Sequence, residues 1–384
     1  MAYDETVLEY AKIQGIGPAT ARRPQPKTKN WPAGTVIVSA DSHFLEGDVW
    51  LNKFPAHLRD KAPRMVFENG GWEFRVGNEA PTPLGNKPMC ELTECVLGFR
   101  DVEQRLRDLD VEGVEKELLF PQKLWSRNMA GDIDLREYVF PIHNEQMAEA
   151  CAKAPGRLYF TAVPNYWDVK AARASIETIK SLGASALLIP NNGRKDSNGE
   201  QIIWGHPKMA PFWEAVEESG LPLAYHVGEG LPNPYPGAPQ ALALCNFRDF
   251  APVWAELSFG GVFDRHPGLR IVFTEAGIGW VPKVLHDADL IYNTYQPVAE
   301  FRPKHHPSWY WFNNCYATFM IDPIGLRLLD KIGIDRVMWS TDYPHAESTL
   351  GFTQDVIQSI LDATTVENAQ KILGKTAIDV FKMK

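Results

Sequence analysis

The sequence has no surplus of basic residues and no long apolar run, and each absence narrows the range of functions. Its 39 lysines and arginines are outnumbered by 48 aspartates and glutamates, which gives a net charge of −9. Such a chain lacks the basic surface that nucleic acids and anionic membranes attract. No apolar stretch approaches the roughly 20 residues of a membrane-spanning helix, and the start MAYDETVLEY has no apolar signal segment. We therefore expect a soluble, cytoplasmic protein that binds neither nucleic acid nor membrane.

Cysteine is also scarce, which argues against a disulfide framework. The five cysteines are Cys90, Cys95, Cys151, Cys245 and Cys315. Their number is odd, and the one close pair does not have the spacing of a zinc knuckle. We expect free thiols in a reducing compartment.

Short apolar runs alternate with helical patterns along most of the chain. We predict eight strands, at 35–40, 114–120, 158–163, 185–190, 221–227, 269–275, 313–319 and 336–341. This alternation predicts βαβ units and a parallel sheet, and the nearly continuous apolar runs are typical of strands covered on both faces. Eight units in 384 residues predict an α/β fold of the (β/α)₈ TIM-barrel type. An open, doubly wound sheet is the alternative.

Two segments interrupt the alternation. Residues 1–34 are rich in proline, lysine and arginine, and we interpret them as an N-terminal arm lying on the barrel or a neighbouring subunit, or as a disordered tail. Residues 45–98 separate the first strand from the first clear helix, and insertions this long are usually lids, binding loops or linkers. We predict a small cap over the mouth of a barrel that spans residues 35–384, with a subunit contact as the alternative.

Acidic and imidazole side chains collect where the predicted strands end. They are Asp41 and His43 (first strand), His226 (fifth), Glu275 (sixth), and Asp342 with His345 (eighth). Barrel enzymes carry their sites at the carboxyl ends of the strands, and residues two apart in a strand share one face. Imidazole and carboxylate ligands together suit Zn²⁺, Mn²⁺ or Fe²⁺ better than Mg²⁺ or Ca²⁺. The pattern predicts a divalent-metal site.

Five segments resemble a known family. They read ADSHFLE, HNEQMAEACAKAPGRLYFTAVP, HPKMAPFWEAVEESGLPLAYHVG, HPGLRIVFTEAGIGWVP and MWSTDYPHAES. Together they resemble the amidohydrolase-2 family, which contains aminocarboxymuconate semialdehyde, resorcylate and vanillate-type decarboxylases, over about residues 36–375. The resemblance implies a (β/α)₈ barrel with one divalent metal, often zinc or manganese, held by Asp41, His43, His226 and Asp342. It also implies that Asp342 or a nearby group helps to move a proton.

The chain departs from the family pattern in two places. Dinuclear amidohydrolases carry a carbamylated lysine after strand four, where residues 190–192 read PNN. Many of the family's decarboxylases have a histidine after strand six, where this chain has Glu275. We predict Glu275 to act with Asp342 and His226 as a catalytic group, provided that burial raises its pKa. The alternatives are that it binds the metal, bridges to a second one, or orients His226.

His345 is predicted to orient Asp342, with metal ligation or capping of the loop as alternatives. If His345 and Glu275 both bound metal, the set would suit dinuclear iron or manganese and dioxygen.

Substrate contacts are assigned from location alone. Arg194 follows strand four and is placed to pair with a substrate carboxylate, beside the amide of Asn192. Tyr225 and Trp280 lie near strand ends, where barrel packing is the competing interpretation. Further rim candidates are Asn191, Trp125, Trp204, Trp339 and Glu229.

Several reactions are compatible with these residues. We favour non-oxidative decarboxylation of a small carboxylated or aromatic substrate, by a carboxy-lyase. Metal-dependent hydrolysis of a C–N or C–C bond, oxygen-dependent dinuclear chemistry and a non-catalytic partner subunit are the alternatives. A homodimer is expected, and a hetero-oligomer with a related chain is the other arrangement considered.

Overall fold

A computed structural model describes residues 22–45, 53–68, 71–78, 82–86, 96–122, 124, 133–228, 244, 250–295 and 297–384. Its strands are β1 (Val38–Phe44), β2 (Arg64–Glu68), β3 (Gly71–Arg75), β4 (Thr82–Asn86), β5 (Lys116–Pro121), β6 (Leu158–Ala162), β7 (Ala186–Leu188), β8 (Leu223–His226), β9 (Ile271–Thr274), β10 (Cys315–Phe319) and β11 (Val337–Trp339).

Eight of these strands form one parallel sheet in the order β1-β5-β6-β7-β8-β9-β10-β11. The sheet closes because the segment after β11 returns to β1. Asp342 donates its amide to Asp41 O at 3.0 Å, and His43 donates its amide to Tyr343 O at 2.7 Å. The predicted TIM barrel is therefore confirmed, and the open doubly wound alternative is wrong.

The barrel strands lie within a few residues of their predicted positions. The fourth and eighth are shorter than predicted, at Ala186–Leu188 and Val337–Trp339. The eighth ends early because the chain turns at Asp342, whose φ of 55° is incompatible with an extended strand. Strand side chains are buried, since the barrel interior covers one face and the helices cover the other.

Helices surround the sheet. They are α1 (Val102–Glu112), α2 (Ile133–Cys151), α3 (Ala172–Ser181), α4 (Ala210–Ser219), α5 (Ala251–Phe259), α6 (Val262–Arg265), α7 (Val281–Tyr295), α8 (Pro307–Asn314), α9 (Pro323–Arg327), α10 (Leu329–Ile332), α11 (Thr353–Ala363), α12 (Val366–Gln370) and α13 (Thr376–Val380). Local sequence fixes their ends. In α1, the Asp101 side chain accepts a hydrogen bond from the Gln104 amide, and Gly113 ends the helix with φ 80°.

The insertion after β1 contains a 3₁₀ helix at Ala56–Lys61 and the antiparallel sheet β2-β3-β4. Its start packs on α2. Phe54 is buried against Tyr138, and Lys53 Nζ lies 3.0 Å from Glu145 and 3.1 Å from Glu149.

The described part of the N-terminal arm, residues 22–34, lies along the barrel. The Lys27 amide donates to Val111 O at 3.0 Å, and the Thr28 amide donates to Gln354 Oε1 at 2.7 Å. The arm therefore bridges α1 and α11.

Two further sequence expectations concern membrane helices and cysteines. Among the described residues, no helix combines the length and apolar character needed to cross a membrane. Cys151 and Cys315 are buried free thiols, and burial raises the pKa of Cys151 to about 12. Cys90, Cys95 and Cys245 lie outside the described residues.

Candidate metal centre

The six donor side chains predicted from the sequence converge at the carboxyl end of the barrel. Asp41, His43, His226, Glu275 and Asp342 are buried, and the His345 side chain is 15% exposed. The chain arranges them by two means. Asp41 and His43 are two residues apart on β1 and so share one face of the strand. Glu275 and Asp342 instead follow their strands with left-handed φ angles of 77° and 55°. Left-handed backbone is uncommon for residues other than glycine, and it clusters at functional sites.

The donor atoms lie within a few ångströms of one another. His226 Nε2 is 3.4 Å from both Asp41 Oδ1 and Glu275 Oε2. His43 Nε2 is 3.3 Å from Asp342 Oδ1 and 3.7 Å from Asp41 Oδ1. One atom from each of Asp41, His43, His226 and Glu275 fits within 4.8 Å of the others. This spacing is compact enough for a single ion to reach all four.

Main-chain carbonyls orient both histidines. His43 Nδ1 lies 3.1 Å from Pro121 O, and His226 Nδ1 lies 3.0 Å from Val227 O. A carbonyl accepts but does not donate, so each Nδ1 carries the proton and each Nε2 presents its lone pair to the cluster. Metal-binding histidines are typically held in this way.

Unpaired buried atoms of Asp41 and His43 show whether a cation fits this site. Both carboxylate oxygens of Asp41 and the Nε2 atom of His43 are buried without a hydrogen bond to any described residue. Buried polar atoms are nearly always hydrogen-bonded, and buried charges are paired or coordinate metals. The oxygen and nitrogen donors left over are those that a divalent transition metal takes. The residues present therefore fit a divalent ion.

The carboxyl groups differ in their preferred protonation states. Burial, together with the negative charges of Asp342 and Asp41, raises the pKa of Glu275 well above its usual value. Burial alone would also raise the pKa of Asp342, but the neighbouring His345 and His43 outweigh it and hold that pKa well below its usual value. The surroundings therefore favour the ionised form of Asp342 and the protonated form of Glu275.

The two histidines beside Asp342 also differ. Burial and the charge of His345 lower the pKa of His43 to about 4. Burial opposes charge on His345 as well, but Asp342 outweighs it and raises the pKa of His345 to about 9. The two rings stack with centroids 4.0 Å apart. One neutral and one cationic imidazole thus flank Asp342.

The residues predicted to contact the substrate do not all lie near the donor cluster. Arg194 is half-buried and Asn192 is exposed, both on the loop after β7. Tyr225 precedes His226 in β8, so its side chain leaves the opposite face of the strand, and its ring stacks on Phe273. Trp280 packs edge-on against Phe273 and Trp311 in the same aromatic cluster. The structure thus brings neither Tyr225 nor Trp280 to the donor cluster.

The other rim candidates also differ in placement. Trp204 and Trp339 are fully buried. Asn191 donates its side-chain amide to His226 O at 2.8 Å. Trp125 and Glu229 lie outside the described residues.

Sequence reasoning missed two polar residues beside the cluster. Gln122 Oε1 lies 2.8 Å from His345 Nε2, and Glu347 offers an oxygen within 4.8 Å of donor atoms from Glu275, Asp342 and His345. Gln122 directly follows β5, so the strand-end rule used for the other residues would have found it. Glu347 is exposed, between His345 and the buried Ser348, and its one signal in the sequence was its spacing of two residues from His345.

Comparison with known proteins shows the family. A family model described as amidohydrolase matches residues 101–383. The chain belongs to the amidohydrolase family. It is 28% identical over 322 residues to a gamma-resorcylate decarboxylase from Rhodococcus jostii, covering 76% of this chain and 90% of that one.

Two solved structures share the fold of this amidohydrolase. One, an amidohydrolase from Mycobacterium avium subsp. paratuberculosis, superposes with a TM-score of 0.74 at 16% identity, over 91% of this chain and 100% of its own. The other is a dihydroxybenzoic acid decarboxylase from Polaromonas sp. with bound manganese and the inhibitor 2-nitroresorcinol. Its TM-score is 0.65 at 20% identity, over 91% of this chain and 97% of its own.

Proposed function

We propose that this amidohydrolase is a metal-dependent carboxy-lyase that removes CO₂ from a small hydroxylated aromatic acid without oxidation. The observation that carries the proposal is the buried group of Asp41, His43, His226 and Glu275, in which one ligand atom from each residue lies within 4.8 Å of the others, with Asp342 Oδ1 3.3 Å from His43 Nε2. The similarity to a gamma-resorcylate decarboxylase supports the choice of reaction. The fold alone does not, because TM barrels host many chemistries.

Four residues are assigned to the metal. Asp41, His43, His226 and Asp342 would hold one divalent ion, with manganese or zinc as the favoured metals. Such an ion stabilises negative charge on a substrate oxygen as a Lewis acid. Asp342 suits the role of ligand because its flanking imidazoles favour the ionised form.

Glu275 is assigned to proton transfer. When CO₂ leaves an aromatic acid, the carbon that carried it must receive a proton. Glu275 is buried at the cluster, 3.4 Å from His226 Nε2, among carboxylates that disfavour a further negative charge. A carboxyl group whose surroundings favour its protonated form is suited to donate that proton.

Arg194 and Asn192 remain the proposed substrate contacts. Both lie on the loop after β7, at the same end of the barrel as the donor cluster. A guanidinium there would pair with the carboxylate of the substrate.

The test is CO₂ release from carboxyl-labelled gamma-resorcylate and other hydroxybenzoates. The metal-free protein would be assayed before and after addition of Mn²⁺ or Zn²⁺, without oxygen. We expect labelled CO₂ after metal addition in the wild type and in a His286→Gln control, which changes an exposed residue of α7, but not in Asp41→Ala. Turnover that is equal with and without metal would reject the proposal.

A second function is favoured by one observation. Glu275, Asp342, His345 and Glu347 form a further group with ligand atoms within 4.8 Å of one another. If it held a second ion, the dinuclear iron or manganese alternative with oxygen-dependent chemistry would apply. Two metals per chain, together with substrate-dependent oxygen uptake, would favour this function over decarboxylation.

A further inference from the structure

Helix α1 carries an unusual buried face. Its inward residues include Val102 and Leu109, as expected for a helix that covers a barrel, but also Arg105, Asp108 and Glu112. Arg105 is fully buried. An arginine in that position must find acceptors for its five N–H groups, because burying an unpaired charge is costly.

Arg105 finds two of these acceptors at the seam where the barrel closes. Its Nη1 atom donates to His43 O at 2.8 Å, and its Nη2 atom donates to Tyr343 O at 3.4 Å. His43 belongs to β1, and Tyr343 follows the last strand. The guanidinium also lies over the Tyr343 ring, 4.8 Å from its centroid. One side chain outside the barrel therefore holds both edges of the seam.

The same seam carries the metal donors. Asp41 and His43 make its main-chain hydrogen bonds from one side, and Asp342 and Tyr343 make them from the other. The distance between His43 Nε2 and Asp342 Oδ1, 3.3 Å, is measured across it. A small shift of one edge would therefore separate donors that must reach one ion.

A buried acid completes the arrangement. Glu117 on β5 is fully buried and accepts from Arg105 Nε at 2.7 Å through one oxygen, and from Ser42 Oγ at 2.8 Å through the other. Ser42 Oγ also lies 3.2 Å from Thr341 Oγ1, on the opposite edge. The ion pair thus reaches both edges a second time, through hydroxyl groups.

We propose that Arg105, with Glu117, is a positioning residue that sets metal affinity by fixing the separation of the donors on the first and last strands. It touches neither metal nor substrate. The inference rests on the metal site of the proposed function and adds a residue pair that the strand-end pattern does not contain.

The test compares metal dissociation constants measured by competition with a chelator, using Mn²⁺ or Zn²⁺ alone. Arg105→Lys keeps the charge but loses the planar fork that spans several acceptors. The double variant Arg105→Met/Glu117→Met removes both charges together, a change that folded proteins often tolerate. Arg136→Lys is the matched control, since Arg136 is a fully buried arginine that donates to Lys195 O at 2.7 Å, on the loop after β7.

We expect both Arg105 variants to bind metal roughly 10- to 100-fold more weakly, the range typical of residues that orient ligands. The control should retain wild-type affinity. Thermal unfolding of the metal-free proteins separates this role from a purely structural one, which would lower the melting temperature but leave the affinity of the folded protein unchanged.

Two outcomes would overturn the inference. One is wild-type metal affinity, within about threefold, in both Arg105 variants. The other is an equal loss in Arg136→Lys. A wild-type protein that binds no metal would instead reject the proposed function on which the inference rests.

Discussion

The imidazole of His345 lies against the carboxylate of Asp342, with Nδ1 2.9 Å from Oδ1. The second ring nitrogen of His345 faces Gln122 Oε1 at 2.8 Å. An amide oxygen and a carboxylate both accept, so both ring nitrogens donate and the ring is cationic. His345 therefore provides a fixed positive charge behind a residue that we assign to the metal.

Replacing His345 by glutamine should weaken metal binding by roughly 10- to 100-fold, because Asp342 loses the group that orients it. The pKa of Asp342 should rise toward its usual value, since His345 is the first of the groups that lower it. As the pH is lowered, activity should therefore be lost at a higher pH in this variant than in the wild type. His286→Gln, on the exposed face of α7, is the control. An unchanged profile in His345→Gln would contradict the assignment.

Glu275→Gln should lower the turnover rate by roughly 10²- to 10⁴-fold, the usual contribution of a general acid. Metal content should stay at the wild-type value, because the four assigned ligands are intact. Elemental analysis and a CO₂ assay on the same sample check both statements. Loss of the metal together with the activity would move Glu275 into the ligand set.

Gly98→Ala tests how tightly the seam is packed. A Cβ atom there would overlap the Tyr343 hydroxyl, which is held by Asp108 Oδ2 at 2.6 Å. We expect a loss of about 1–3 kcal/mol in the free energy of unfolding, as for other overpacked sites. Adding Tyr343→Phe removes the overlapping oxygen and should recover part of the loss in a double-mutant cycle. Strictly additive effects would show that the two residues do not interact.

His143 should contribute to the pH dependence of stability. Burial lowers its pKa in the folded protein to about 3, whereas an unfolded histidine titrates near 6.5. Below pH 6.5 the unfolded chain binds the additional proton, so stability falls as the pH decreases toward 3. Between pH 7 and 5 this amounts to roughly 2 kcal/mol.

Urea unfolding at the two pH values measures this contribution. His143→Gln should lose less stability on acidification than the wild type does, whatever its stability at pH 7. Equal losses in the two proteins would mean that His143 is not buried as a neutral ring.

The barrel and the positions of its donor residues could be predicted from the sequence, and the reason is physical. Strand periodicity and strand ends are local properties, and in a barrel every strand end reaches the same mouth. Asp41, His43 and His226 follow from that rule alone. The metal-ligand set remains a prediction until metal is measured.

The rest depends on contacts between distant parts of the chain. Arg105 is 238 residues from Tyr343, the carbonyl of which it binds, and a charged residue on an amphipathic helix is ordinarily expected to face solvent. Tyr225 and Trp280 were assigned from their distance to strand ends, whereas the alternation of side chains along β8 places Tyr225 in an aromatic cluster outside the cation site. Closeness to a strand end alone does not show whether a side chain faces the donor cluster.

The most direct test of the account is labelled CO₂ release by the metal-free protein before and after one equivalent of Mn²⁺, with Asp41→Ala assayed in parallel. The account predicts no release before the addition, release from carboxyl-labelled gamma-resorcylate or a related hydroxybenzoate afterwards, and none from Asp41→Ala at either stage. Release before the addition, or full release by Asp41→Ala, would contradict a reaction that depends on a metal held by this cluster.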